Sequence, residues 1–176
     1  GVGDEEITDG VLKKTKRRFT WLLLNLFTAI IASVVIGFFQ EDIKKVVALA
    51  VLMPIVASMG GNAGMQTLAV TVRTLATNDL TKNNFNQNIF KEFNIGVLNG
   101  IIFAIISSFI VQIWFQDYQL SLIISISMIL TMVVAGLFGI VVPVTLKKMN
   151  IDPAIASSVF VTTITDVIGF VSFLGV

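Results

Sequence analysis

The sequence has no cysteine and no histidine. The first absence excludes a disulfide framework, and the two together exclude zinc sites built from thiolate or imidazole. They also remove the nucleophile–base pairs that hydrolytic chemistry usually needs, so an enzyme is not expected. Charge is scarce as well: 13% of residues are charged, against about 25% in a typical soluble domain. The net charge of +1 gives no footing for nucleic acid. Any metal held here must be bound by carboxylate, carbonyl, hydroxyl, amide or water oxygen. Such donors suit hard cations such as Mg²⁺, Ca²⁺ and Mn²⁺.

What is abundant is apolar. Hydrophobic residues make up 55% of the chain and the mean hydropathy is +0.90. Five runs reach the roughly 20 apolar residues that a membrane helix needs: 19–39, 46–72, 93–115, 120–146 and 154–176. The expected fold is therefore all-α, a multi-pass membrane protein with five transmembrane helices. Links of a few residues, QEDIKK (40–45), QDYQ (116–119) and KKMNID (147–152), make successive spans antiparallel neighbours. The longer link, 73–92, has room for a short surface helix. The chain begins Gly1-Val2-Gly3 without an initiator Met and opens on a charged stretch, which reads as the tail of something upstream.

Lys and Arg set the orientation, because cytoplasmic loops carry an excess of them. With the N-terminus cytoplasmic, ten fall inside: Lys13, Lys14, Lys16, Arg17, Arg18, Arg73, Lys82, Lys91, Lys147 and Lys148. Only Lys44 and Lys45 fall outside. The C-terminus is then extracellular or periplasmic, and Trp21 and Trp114 lie near span ends as interfacial aromatics should.

The second span is unlike the rest. MPIVASMGGNAGMQTLAVTVR (53–73) puts Pro54, Gly60, Gly61 and Gly64 in one hydrophobic run, so a broken helix is expected there. Gly60-x-x-x-Gly64 also has the small-residue spacing that lets helices touch. Asn62, Gln66 and Arg73 share a helical face, which suggests a wetted surface.

The last span carries Asp166. Asp152-Pro153 fits a helix start, and Asp166 lies twelve residues past Ala154, about 18 Å along the axis. At that depth an aspartate costs about 2.5–3.5 kcal/mol to insert, and no span contains a Lys or Arg to pair with it. It must be protonated, meet water, or hold a cation. Ser158, Thr162, Asp166 and Gly169 form a polar stripe that Thr163 widens, which favours water or a cation. One carboxylate is a poor cage for a divalent ion, whereas two on a twofold axis would suffice for Mg²⁺, which keeps several waters. Two rivals are a carrier coupled to H⁺ or Na⁺ and a non-transporting assembly in which Asp166 is structural glue.

These same segments resemble the transmembrane domain of the MgtE family of Mg²⁺ channels and transporters. The resemblance rests on MPIVASMGGNAGMQTLAVTVRTLA (53–76) and DPAIASSVFVTTITDVIGFVSFLG (152–175), supported by WLLLNLFTA (21–29) and KEFNIGVLNG (91–100). It implies a homodimer in the plasma (inner) membrane, with a pore at the subunit interface lined by the second and fifth spans. It implies Mg²⁺ as the transported and bound ion, held largely hydrated by Asp166 with main-chain carbonyls around Thr162. Asn62, Gly60, Gly61, Gly64, Gln66, Ser158 and Thr163 would line the approach. Residues 1–18 would end a connecting helix from cytosolic N-terminal and CBS domains that are not in this sequence, and residues 19–176 would form the pore domain.

Overall fold

The computed structural model of the protein describes residues 10–77 and 84–176. They form six helices: α1 (Val11–Phe38), α2 (Gln40–Lys45), α3 (Val47–Ala76), α4 (Phe85–Phe115), α5 (Tyr118–Lys148) and α6 (Pro153–Leu174). All but α2 are long and apolar enough to cross a membrane, and among the described residues there is no strand.

The helix boundaries follow local chemistry. Asp117 caps α5 by accepting from the backbone N–H groups of Gln119 and Leu120, at 2.8 and 3.2 Å. Asp152 caps α6 by accepting from Ala154 N–H at 2.9 Å, with Pro153 opening the helix. These bonds satisfy donors that a helix start leaves free. At the other end of α4, Gln116 turns the chain with φ 53°, in the left-handed region.

Three expectations need correction. The second span does not break: α3 is one helix from Val47 to Ala76 with Pro54 inside it. Proline lacks the N–H that would bond the carbonyl four residues back, here that of Ala50. Pro54 and Ala50 are both exposed, and Gly60 and Gly64 are consumed by packing. The link after Arg73 is shorter than read, because α3 runs to Ala76 and α4 starts at Phe85. No separate surface helix occurs there among the described residues; 78–83, with Lys82, lie outside them. Finally, QEDIKK is itself a short helix, α2, with exposed pairs Glu41–Lys44 (2.8 Å) and Asp42–Lys45 (3.6 Å). Of the expected connecting helix, residues 11–18 continue into the first span as α1, Gly10 is its extended N-cap, and 1–9 lie outside the described residues.

α5 is the central helix, and α3, α4 and α6 all pack on it. Its buried side includes Ile124, Ser127, Met128, Thr131, Met132 and Ala135. α1 is peripheral and packs mainly on α6, adding Ala32 to a core with Leu52, Val56, Ile124 and Phe173.

Candidate functional site

Small residues bring α3 against α6 and α5. A Cβ on Gly64 would lie 2.7 Å from Val161 Cγ1 and 3.5 Å from Thr165 Cγ2 of α6. One on Gly60 would run into the Thr131 methyl of α5 and lie 3.5 Å from Thr165 Cβ. Gly169 in turn faces Val56. These contacts run α3 and α6 antiparallel and put Asp166 level with the stretch of α3 between Ser58 and Gly60. Gly60 and Gly64 are thus buried within the helix bundle, in the close packing that their spacing allows, away from the face that carries Asn62 and Gln66.

Asp166 is half-buried. Among the described residues its side chain makes no hydrogen bond and no ion pair, and α6 contains no Lys or Arg. Ser158, Thr162 and Thr163 are also half-buried, so the polar stripe lies at the edge of the bundle. Thr162 Oγ1 donates to the carbonyls of Ser158 (2.9 Å) and Val159 (3.2 Å), and Thr163 Oγ1 donates to Val159 (2.6 Å). Each hydroxyl oxygen keeps acceptor capacity toward the stripe. The Thr162 carbonyl already accepts from Thr165 Oγ1 at 2.9 Å, besides its helical bond.

On α3, Asn62, Gln66 and Arg73 are exposed on one face, and Gly61, half-buried, has open space where a Cβ would be. Ser58, not singled out from the sequence, belongs to this face: Asn62 Nδ2 donates to Ser58 Oγ at 3.3 Å. A polar face turned outward from a helix bundle in lipid needs a partner or water, because hydrocarbon satisfies no polar group.

Two further features escaped the sequence reading. Thr131 Oγ1, fully buried at the junction of α3, α5 and α6, has no hydrogen-bond partner among the described residues. Glu92, read as part of a connector, lies inside α4 and accepts from Thr67 Oγ1 of α3 at 3.0 Å. Asn84, Asn88 and Glu92 are four apart, a spacing that already marks one helical face. Among the described residues no three His, Cys, Asp or Glu side chains come together as a metal cluster.

The family model for MgtE, described as a divalent cation transporter, matches residues 53–176. The chain is 34% identical to the magnesium transporter MgtE of Bacillus subtilis (strain 168) over 160 residues, 91% of this chain and 36% of that protein. It is 32% identical to the Enterococcus faecalis protein of the same name over 166 residues, 94% of this chain and 37% of the relative. With the Thermus thermophilus magnesium transporter MgtE the identity is 29% over 160 residues, covering 90% and 35%. The chain therefore spans about a third of the length of the curated relatives it matches.

Proposed function

Because this chain belongs to the MgtE family of divalent cation transporters, we propose that it conducts Mg²⁺ across the plasma membrane through a pore between two copies, with Asp166 holding the hydrated ion. The observation that carries this reading is Asp166 itself: a half-buried carboxylate deep in α6 with no hydrogen bond or ion pair among the described residues. The family transports cations and is not a family of enzymes.

A carboxylate at that depth needs positive charge or water. Among the described residues one protomer offers a cation a single carboxylate and neutral oxygens at this level, too little to strip Mg²⁺ of its shell. Mg²⁺ dehydrates reluctantly and is commonly held by one or two carboxylates with several waters retained. Two Asp166 side chains across a twofold axis meet that requirement, and dimers are the commonest symmetric assembly. The exposed Ser58–Asn62–Gln66 face of α3 supports the same assembly, since a second copy and a water column would cover it. Gly61 leaves room beside that face, while Gly60 and Gly64 seat α3 on α5 and α6. Ser158, Thr162 and Thr163 offer hydroxyl oxygens to the ion's waters.

In this reading the N-terminus is cytoplasmic, the C-terminus faces outward, and α1 continues from cytosolic domains of a longer protein. Asp166→Ala should abolish Mg²⁺ flux into proteoliposomes while the dimer still forms. Asp166→Asn, which keeps the shape and loses the charge, should do the same. Wild-type flux through Asp166→Asn would make the carboxylate structural glue and end the proposal.

A further inference from the structure

The polar face of α3 ends on a positive charge. Arg73 follows Asn62 and Gln66 along that face and is exposed as they are, about 10 Å further along the axis than Gln66. The ion pairs between described residues, Glu41–Lys44 and Asp42–Lys45, both lie on α2. Arg73 thus has no acidic mate among the described residues. Two other cations at this end of the bundle are engaged differently. Lys147 of α5 donates to the Leu75 carbonyl at 2.8 Å, capping the last turn of α3. The Lys148 ammonium stands 5.8 Å over the Phe85 ring.

Depth decides what Arg73 can act on. α3 has 30 residues, about 45 Å of helix, against a hydrocarbon layer of about 30 Å. Arg73 stands within a turn of the helix end at Ala76, so its guanidinium reaches the headgroup zone and meets water. Asp166 lies level with Ser58 to Gly60, about 20 Å away along the axis. That is more than twice the screening length of about 8 Å at physiological salt. Arg73 is therefore too far to neutralise Asp166. What it can act on is an ion at its own end of the face.

We propose that Arg73 is the fixed charge at the inner mouth of the ion path, where it thins Mg²⁺ and so biases transport inward. The proposal rests on the reading that the polar face of α3 lines a pore between two copies with the N-terminus cytoplasmic. An ion approaching from the cytoplasm then meets two guanidiniums, one from each copy. At about 8 Å from each, in water at physiological salt, repulsion lowers the local concentration of a divalent ion by about threefold to fourfold. An ion arriving from the other side meets the Asp166 carboxylates first and escapes this depletion. The bias appears only under a gradient and vanishes at equilibrium.

The test compares initial Mg²⁺ entry, at subsaturating concentration, into right-side-out and inverted membrane vesicles holding the full-length protein. Vesicles from cells lacking the protein give the blank. Domains outside this chain act equally in every variant and cancel in the comparison. In Arg73→Gln, entry through the cytoplasmic face relative to the outer face should rise about threefold over wild type. Arg73→Lys should keep the wild-type ratio, because the charge is what acts. Molar KCl, which shortens the screening length to about 3 Å, should bring wild type to the Arg73→Gln ratio. Lys148→Gln, at the same end but away from the polar face, should change nothing. An unchanged ratio in Arg73→Gln overturns the proposal. So does an equal rise in Arg73→Lys, which would make the guanidinium structural, or in Lys148→Gln, which would make the effect one of general surface charge. Asp166→Ala in the same vesicles reports separately: wild-type flux there ends the Asp166 reading, while the Arg73→Gln ratio still decides the inner-mouth charge.

Discussion

The seam that positions Asp166 can be tested at Gly64. Changing it to alanine adds one methyl group 2.7 Å from Val161 Cγ1 and 3.5 Å from Thr165 Cγ2. Carbon pairs in comfortable contact sit about 3.5–4.0 Å apart, so the Val161 contact is about an ångström too close. Val161 is fully buried and α6 is wedged between α3 and α5, which leaves little room to yield. Overpacking of this kind costs about 1–3 kcal/mol, while replacing a helical glycine by alanine returns about 1 kcal/mol. The net expectation is a loss of up to about 2 kcal/mol, the difference of those two figures. Val161→Ala, which removes the offending methyl, is destabilising alone, yet in the double variant it should relieve the clash. Equilibrium unfolding in mixed detergent micelles measures the four corners of that cycle, with an expected coupling of about 1–2 kcal/mol. Gly61→Ala is the internal control: open space surrounds its Cβ position, so that variant should hold or gain stability. Because α6 carries both Val161 and Asp166, Gly64→Ala should also slow Mg²⁺ flux. If Gly64→Ala stabilises the protein by the full helix-propensity gain, or its effect simply adds to that of Val161→Ala, the tight seam is wrong.

Thr131→Val replaces the unpartnered buried hydroxyl with a methyl of nearly the same shape. Since an unsatisfied buried polar group costs about 1–3 kcal/mol, this variant should unfold at equal or higher denaturant, and a clear loss of stability would reveal a hidden partner. For the transport mode, a channel responds to the Mg²⁺ electrochemical gradient alone. An imposed pH or Na⁺ gradient should therefore leave initial Mg²⁺ flux into proteoliposomes unchanged, whereas uphill Mg²⁺ accumulation driven by either gradient would make the protein a coupled carrier.

Much of this was legible in the residues because membrane helices obey length and composition. The five long helices cover the five apolar runs to within two residues, and Asp152-Pro153 marked the start of α6 to the residue. What failed was the inference from breakers. Pro54 and the glycines of 53–73 predicted a break, but tertiary contacts decide what small residues are for. Gly60 and Gly64 admit Thr131, Thr165 and Val161, and the helix continues. Glu92 was missed because a hydropathy boundary at Phe93 cut the helix below its true start at Phe85. The polar stripe of α6 was readable from its spacing alone. That Ser158, Thr162, Thr163 and Asp166 lie half-buried at the bundle edge, while the neighbouring Thr165 is fully buried, depends on how α3 and α5 flank α6, and no periodicity carries that.

The most direct measurement is an anomalous-difference map from crystals of the purified protein soaked in Mn²⁺. A peak between two Asp166 carboxylates on a twofold axis, too far from either for bare-ion contact and bridged by water, is the predicted result. Asp166 facing lipid or apolar side chains, remote from any twofold axis and without a peak beside it, would contradict the pathway proposed here.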